Sequence, residues 1–235
     1  MGLAENLAGI EQRIAAACSR AKRERSSVTL VAVSKNHLSE AVAEAVRLGV
    51  SVFGENRVQE AKAKIPMCPG RARWHLIGHL QSNKARDAVQ LFDMIESVDS
   101  LHLAEELNRR AEQAAKTLPI LLQANVAAEA TKFGYPPERL LADFEAINRF
   151  HNLEIHGLMT IAPWTPDPEK VRPVFRKLRE LKERCEQKLG APLPHLSMGM
   201  SGDFEVAIEE GATLVRIGTA LFGPRPALKR ESEAD

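Results

Sequence analysis

Lys35 is the residue whose position most clearly asks for a chemical explanation. It ends the apolar run formed by residues 28–35, and the period of two in a β-strand places Val31, Val33 and Lys35 on one face. A buried ammonium group is costly unless it is paired or neutralised. A Schiff base between the amine and an aldehyde is one reason to keep a lysine there. The alternative is a lysine that has already reached solvent at the strand end.

Two glycine-containing pairs near the end of the sequence could bind an anion. Ser201-Gly202 and Gly218-Thr219 each follow an apolar run. Glycine lets the backbone approach a ligand closely, and the two hydroxyl groups can donate to phosphate oxygens. The same residues could instead serve only to form turns.

Arg216 lies two residues before Gly218, so strand alternation points its guanidinium group toward the same ligand. It could pair with a buried carboxylate such as Glu55, or present a permanent donor to a ligand atom. The chain thus offers an amine that could bind an aldehyde, a site that could bind a phosphate and a hydrogen-bond donor near both. Together these features suggest pyridoxal 5′-phosphate (PLP). A carboxylate beside the pyridine nitrogen makes the PLP ring a strong electron sink, whereas an arginine weakens that sink. We therefore expect no broad carbanion chemistry.

These residues must be positioned by the elements of the fold. Strand-like and helix-like runs alternate along the chain with short connections, which is typical of βα units. The predicted strands are residues 28–35, 51–55, 73–78, 92–98, 119–126, 154–161, 195–200 and 214–218. Helical patterns lie between them, such as 39–48, with Ser39 as the cap and Gly49 as the terminator, and 100–116. Before the first strand, one side of an amphipathic helix carries Leu3, Leu7, Ile10, Ile14 and Ala17.

Eight strands with intervening helices favour an α/β fold, a (β/α)8 TIM barrel with an extra N-terminal helix. An open Rossmann-type sheet is the alternative, but its G-x-G-x-x-G fingerprint does not follow the first strand. In a barrel the site lies at the C-terminal ends of the strands, and the loops after strands seven and eight often bind phosphate. Ser201-Gly202 and Gly218-Thr219 occupy those loops. We expect a single domain over residues 1–226 and a charged, flexible tail over 227–235.

The composition excludes several classes of function. With 32 basic and 31 acidic residues and a formal net charge of +1, the chain lacks the basic excess typical of nucleic-acid or acidic-membrane binding. Three scattered cysteines without a CxxC spacing predict neither a disulfide framework nor a zinc site. His75 and His79 suit metal ligands on a helix but not on a strand that leads into a turn, so no metal is expected. Without a signal-peptide core or a long apolar stretch, the protein is expected in the cytoplasm.

Six motifs are spread over nearly the whole chain: AVSK (32–35), FGENRVQE (53–60), WHLIGHLQSNK (74–84), GLM (157–159), LSMGMS (196–201) and VRIGTALFG (215–223). Together they resemble the pyridoxal phosphate homeostasis family, which is similar to the barrel domain of alanine racemase. The resemblance implies a protein that carries or buffers PLP and maintains the intracellular PLP pool without catalytic turnover.

The resemblance also implies a role for each site residue. Lys35 would hold PLP covalently as an internal aldimine, Arg216 would face the pyridine nitrogen, and Asn56 would line the same pocket. The phosphate would be bound by Ser201, Gly218 and Thr219. Lys132, in a Lys-x-Gly segment, matches a lysine of the family and would lie near the cofactor.

Two enzymatic alternatives stay open. A PLP-dependent amino-acid racemase needs a second acid–base group opposite the lysine. Alanine racemase takes it, a tyrosine, from a separate C-terminal β domain, which we expect to be lacking here, and Tyr135 is the sequence's only tyrosine. A Schiff-base aldolase acting on a sugar phosphate would use Lys35 on its substrate, with Glu55 as the general acid or base.

Three further expectations concern packing and partners. Glu55 is more simply explained as the structural partner of a cation, because buried carboxylates usually pair. Trp74 and Trp164 are interpreted as packing residues. The expected partners are PLP and, transiently, PLP-dependent apoenzymes, and a monomer is predicted because no dimerising β domain is expected.

Overall fold

The computed structural model describes residues 2–129 and 132–224. Within these ranges, eight parallel strands form one closed barrel in sequence order, and the first strand pairs with the last. The strands are β1 (Thr29–Val33), β2 (Val52–Glu55), β3 (Arg73–Leu76), β4 (Met94–Val98), β5 (Leu118–Gln123), β6 (Leu153–Met159), β7 (His195–Ser197) and β8 (Leu214–Ile217). The predicted (β/α)8 barrel is confirmed, and the open sheet is wrong because closure leaves no free edge. The predicted tail, 227–235, lies outside the described residues, and a single domain over 1–226 stays a prediction.

All eight strands lie where the hydrophobic pattern places them, but most end earlier than predicted. β1 ends at Val33 rather than at Lys35, and β7 ends at Ser197 rather than at Met200. The apolar pattern continues beyond the last strand residue because loop residues at this end are still buried, as Met198 is. Lys35 therefore lies on a loop above its strand.

Helices cover the outside of the barrel. In the described ranges they are α1 (Leu3–Arg20), α2 (Ser39–Arg47), α3 (Val58–Lys64), α4 (Ala85–Leu91), α5 (Leu101–Gln113), α6 (Pro137–Asn148), α7 (Arg172–Leu189), α8 (Phe204–Glu209) and α9 (Thr219–Phe222). The prediction that Ser39 caps α2 is wrong: Leu38 holds the N-cap position, and the Ser39 hydroxyl donates to Glu40 at 3.2 Å. Gly49 ends this region as predicted, with φ at +95°.

The core has two layers. The inner layer fills the barrel with Val31, Val52, Met94, Leu121, Met159 and Leu214. The outer layer lies between the strands and the helices, and α1 buries Ile10, Ile14 and Ala17 in it, as its amphipathic pattern predicts. Within the described part of the chain, no helix combines the length and the apolar character needed to span a membrane.

Closure of the barrel brings together residues from opposite ends of the chain. β1 and β8 pair with Val31 opposite Arg216 and Ala32 opposite Ile217. The loops that follow these two strands carry Lys35 and Gly218 and are therefore neighbours. The fold thus explains how the expected aldehyde and phosphate sites share one location.

Gly157 in β6 lies against β7 where a side chain has no room, which makes it a test of the barrel. Its φ is +152°, and a Cβ atom there would lie 1.9 Å from the carbonyl oxygen of His195. We predict that Gly157→Ala lowers the free energy of unfolding by about 3 kcal/mol, because the pairing of the two strands must distort.

The matched control is Gly9→Ala on an exposed part of α1, where a Cβ atom meets nothing within 4 Å. This change should raise the free energy of unfolding by roughly 0.5–1 kcal/mol, since alanine is the better helix former. Urea unfolding followed by circular dichroism compares both variants with the parent protein. Similar stabilities for the two variants would contradict the close β6–β7 packing.

Candidate functional site

A cavity of about 440 Å³ opens where the loops leave the C-terminal ends of the strands. Its volume falls within the usual range of small-molecule sites. It is lined by all six residues predicted for the PLP site: Lys35, Asn56, Ser201, Arg216, Gly218 and Thr219. The structure therefore brings these side chains together, and their individual contacts with PLP stay predictions.

Lys35 lies in the turn between β1 and α2 and is half-buried. Ser34 before it is fully buried, and Asn36 after it has a left-handed backbone with φ at +63°. Asparagine tolerates this conformation better than most residues do. Because Lys35 lines the cavity, it is not simply a lysine released to bulk solvent at a strand end.

A buried cluster beneath this turn was not anticipated from the sequence. Lys64, the last residue of α3, donates from Nζ to the carbonyl oxygen of Ser34 (2.7 Å), to Glu55 Oε1 (2.7 Å) and to Glu60 Oε1 (2.8 Å). Glu60 Oε1 also accepts from the backbone N–H of Asn36 at 2.6 Å. The spacing of four residues between Glu60 and Lys64 on a helix was the signal that could have revealed part of it.

Glu55 is the structural partner of Lys64 and not of Arg216. Gly54 and Asn56 face the barrel interior, so Glu55 points away from it, and Ser34 Oγ donates to Glu55 Oε1 at 2.7 Å. Burial raises the pKa of Glu55, and the hydrogen bond from Lys64 opposes this effect. The expectation that Glu55 pairs with a cation is confirmed, whereas the suggested pairing with Arg216 is wrong.

Arg216 is 4% exposed and is held by a polar network inside the barrel. Its Nη2 donates to the carbonyl oxygen of Thr160 at 2.7 Å, and its Nη1 donates to Ser197 Oγ. Ser197 Oγ in turn donates to Glu96, whose other carboxylate oxygen lies 2.7 Å from His75 Nδ1. These bonds fix the direction of the guanidinium group at the cavity wall.

The electrostatics of this network favour a charged pair. Burial lowers the pKa of Arg216, and the Glu96 carboxylate opposes this effect. Burial would raise the pKa of Glu96, but the hydrogen bond and charge of His75, together with the charge of Arg216, hold it below its ordinary value. Since a guanidinium group keeps its proton in proteins, Arg216 presents permanent donors to the cavity.

The loops after β7 and β8 supply hydroxyl donors to the cavity, in addition to the guanidinium donors of Arg216. Ser201 and Gly202 form a turn, and Thr219 begins α9 with its side chain exposed. The hydroxyls of Ser201 and Thr219 find no acceptor among the described residues. A Cβ atom on Gly218 would lie 3.2 Å from the carbonyl oxygen of Val33, so this glycine keeps the loop close to the turn that carries Lys35.

Two lining residues were missed or misinterpreted. Asp203 lines the cavity, its Oδ1 accepts from the backbone N–H of Met200 at 2.6 Å, and burial raises its pKa. Trp164 was interpreted as a packing residue, but it is 86% exposed and lines the same cavity. Trp74 does pack, since it is buried against Phe53. The loop after β6 carries no periodic pattern from which the position of Trp164 could be derived.

Lys132, which the resemblance placed near the cofactor, and Tyr135, the tyrosine of the racemase alternative, do not line this cavity. Lys132 Nζ lies 2.6 Å from Glu129 Oε1. Tyr135 is buried, its hydroxyl has no hydrogen-bond partner among the described residues, and burial raises its pKa. Tyr135 is therefore not placed as an acid–base group across the cavity from Lys35.

The two histidines four residues apart have separate surroundings. His75 belongs to the Glu96 network, whereas the ring of His79 stacks on Phe133 with 3.7 Å between centroids and bonds Asp99 at 3.0 Å. In the described parts of the chain, no group of three or more His, Cys, Asp or Glu side chains could hold a metal ion.

With this geometry in place, the chain can be compared with known proteins. The family described as "Alanine racemase, N-terminal domain" matches residues 6–226. The "Pyridoxal phosphate homeostasis protein" of Aquifex aeolicus is 45% identical over 226 residues, which cover 96% of this chain and 99% of that protein. The protein of the same name from Pseudomonas aeruginosa is 44% identical over 224 residues, covering 95% and 96%.

A solved structure is also similar to the chain. PipY of Synechococcus elongatus, solved with PLP bound, is 40% identical, covers 94% of this chain and 100% of its own, and superposes with a TM-score of 0.82. The same protein without PLP superposes with a TM-score of 0.85. By both sequence and fold, the chain belongs to the family of pyridoxal phosphate homeostasis proteins, within the wider family of alanine racemase N-terminal domains.

Proposed function

We propose that the protein binds PLP in this cavity and buffers or carries it without catalytic turnover. One observation carries the proposal: a lysine amine, a fixed guanidinium group and two unoccupied hydroxyl donors converge on one cavity of suitable size. The relatives support it, since they are named for pyridoxal phosphate homeostasis, and PipY was solved with PLP bound.

The residues fit the separate parts of PLP. The aldehyde of PLP supplies the carbon for a Schiff base, and Lys35 Nζ is the only lysine amine in the described cavity lining. Ser201, Gly218 and Thr219 would hold the phosphate, and Asn56 would contact the cofactor from the β2 side. Because Glu55 faces away from the cavity and is bound by Lys64, it does not serve as the acid or base that the aldolase alternative requires.

Arg216 is the residue that limits the chemistry. Its guanidinium group would donate to the pyridine nitrogen and leave that nitrogen without a proton, which weakens the ring as an electron sink. Two-base racemisation also needs a second acid–base group, and the described lining contains neither a tyrosine nor a histidine. A cytoplasmic location, a monomeric state and transient contact with PLP-dependent apoenzymes belong to the same proposal as expectations from the sequence.

The first prediction concerns the lysine. Incubation with PLP should give a visible absorption band that borohydride removes, and Lys35→Ala should lack it. Lys132→Ala is the control, because Lys132 pairs with Glu129 outside the cavity lining, and it should keep the band. A band that persists in Lys35→Ala but disappears in Lys132→Ala would assign the Schiff base to Lys132 and contradict the proposed role of Lys35.

The second prediction concerns the phosphate. Thr219→Val replaces the hydroxyl by a methyl group of similar volume. The affinity for PLP should therefore fall about tenfold, as expected for the loss of one hydrogen bond to a charged group. The affinity for pyridoxal, which lacks the phosphate, should not change. Thr165→Val is the matched control, since Thr165 also lines the cavity but its hydroxyl bonds within its own loop at Asp167. Equal losses for PLP and pyridoxal would argue against a phosphate contact.

The third prediction concerns turnover. The PLP-loaded protein, incubated with L-alanine in deuterium oxide, should exchange the α-proton no faster than free PLP does, because the described cavity lining offers neither a tyrosine nor a histidine as the second base. Proton NMR measures the exchange. Saturable exchange that Lys35→Ala abolishes would establish a racemase-type activity and overturn the non-catalytic assignment.

A further inference from the structure

We propose that Lys64, together with Glu60 and Glu55, is the positioning device for Lys35, and that it sets how readily the Lys35 amine condenses with the aldehyde of PLP. This inference rests on the proposed function and deepens it. None of the three side chains lines the cavity, so each acts through the backbone that carries Lys35.

The contacts hold the peptide groups on both sides of Lys35. On one side, Lys64 Nζ binds the carbonyl oxygen of Ser34 at 2.7 Å. On the other, Glu60 Oε1 binds the N–H of Asn36 at 2.6 Å. Lys64 and Glu60 are themselves joined at 2.8 Å, so one ion pair on α3 closes a clamp around a single residue of the turn.

The clamp also explains why the turn keeps an uncommon backbone. Asn36 has φ at +63°, a conformation that persists for a non-glycine residue only where its surroundings determine it. The N–H that Glu60 binds belongs to this residue. With the backbone fixed, fewer torsions have to be set before the Lys35 amine reaches its target, and such preorganisation raises the effective concentration of the amine there.

Burying the charges of Lys64 and Glu55 costs desolvation free energy that the stability of the fold does not explain. Lys64 is 8% exposed and Glu55 is fully buried, and one ammonium group serves two carboxylates while Glu55 Oε2 has no partner among the described residues. Buried ion pairs contribute little net stability compared with apolar residues of similar size. A role in fixing a functional turn accounts for their presence where stability does not.

α3 provides a matched control two residues away. Lys62 pairs with Asp87 at 3.0 Å on the protein surface, and its side chain is largely exposed. Lys62→Met and Lys64→Met therefore make the same chemical change on the same helix, but only the second releases the turn. Glu60→Met is the milder variant: it removes the oxygen that accepts from Asn36 and Lys64, whereas Glu60 is partly exposed and the buried Lys64–Glu55 pair stays in place.

The experiment compares PLP with pyridoxine 5′-phosphate, which carries an alcohol in place of the aldehyde. Stopped-flow absorbance measures the rate at which the borohydride-sensitive band forms, and calorimetry measures the affinity for pyridoxine 5′-phosphate. For Glu60→Met and Lys64→Met we expect the rate to fall about tenfold or more, while the affinity for pyridoxine 5′-phosphate stays within about twofold of the parent value. Lys62→Met should change neither quantity.

Each outcome decides the matter. If the rate of band formation with PLP and the affinity for pyridoxine 5′-phosphate fall by the same factor, the cluster only maintains the shape of the cavity. If the rate of band formation is unchanged, the cluster does not position Lys35. Either result overturns the inference. If Lys64→Met does not fold, Glu60→Met alone still decides between these results. A parent protein that forms no band would instead refute the proposed function, and this inference with it.

Discussion

The pairing of β1 with β8 is the constraint on which the rest of the site depends. These strands come from opposite ends of the chain, and their register sets Val31 against Arg216. Only this closure brings the turn that carries Lys35 next to the loop at Gly218 and Thr219. An open sheet would leave the amine and the anion-binding loop on separate edges, and neither could serve one ligand. The cavity is therefore a property of the closed barrel and not of any single motif.

The barrel wall separates two buried charge networks. Inside it, Arg216 is linked through Ser197 to Glu96, while outside it, Glu55 is paired with Lys64. Alternate residues of a strand point to opposite faces, which keeps the two networks apart. The Lys35 turn lies at the rim between them, so its side chain enters the cavity while its backbone is held from the α3 side. The Glu96 network thus orients Arg216, and the Lys64 cluster holds the backbone of the Lys35 turn.

The sequence was sufficient for the fold and for six residues of the cavity lining, and insufficient for Asp203, for Trp164 and for the pairing of the buried charges. Hydrophobic periodicity reports which residues face the core, so it located all eight strands. Barrel geometry then placed Lys35, Ser201 and Arg216 at one end, and the family resemblance added Asn56. Pairing depends on three-dimensional proximity between elements, which periodicity does not report. For that reason Arg216 was given Glu55 as a possible partner, and Lys64 was not identified as a buried residue.

The most direct test of the account is to find which lysine reacts. The protein is incubated with PLP, reduced with borohydride, digested with trypsin and analysed by peptide mass spectrometry. The account predicts a pyridoxyl group on Lys35 at near-stoichiometric yield, with Lys64 and Lys132 unmodified. Modification concentrated on another lysine, or spread evenly over surface lysines, would contradict the assignment of the cavity as the PLP site.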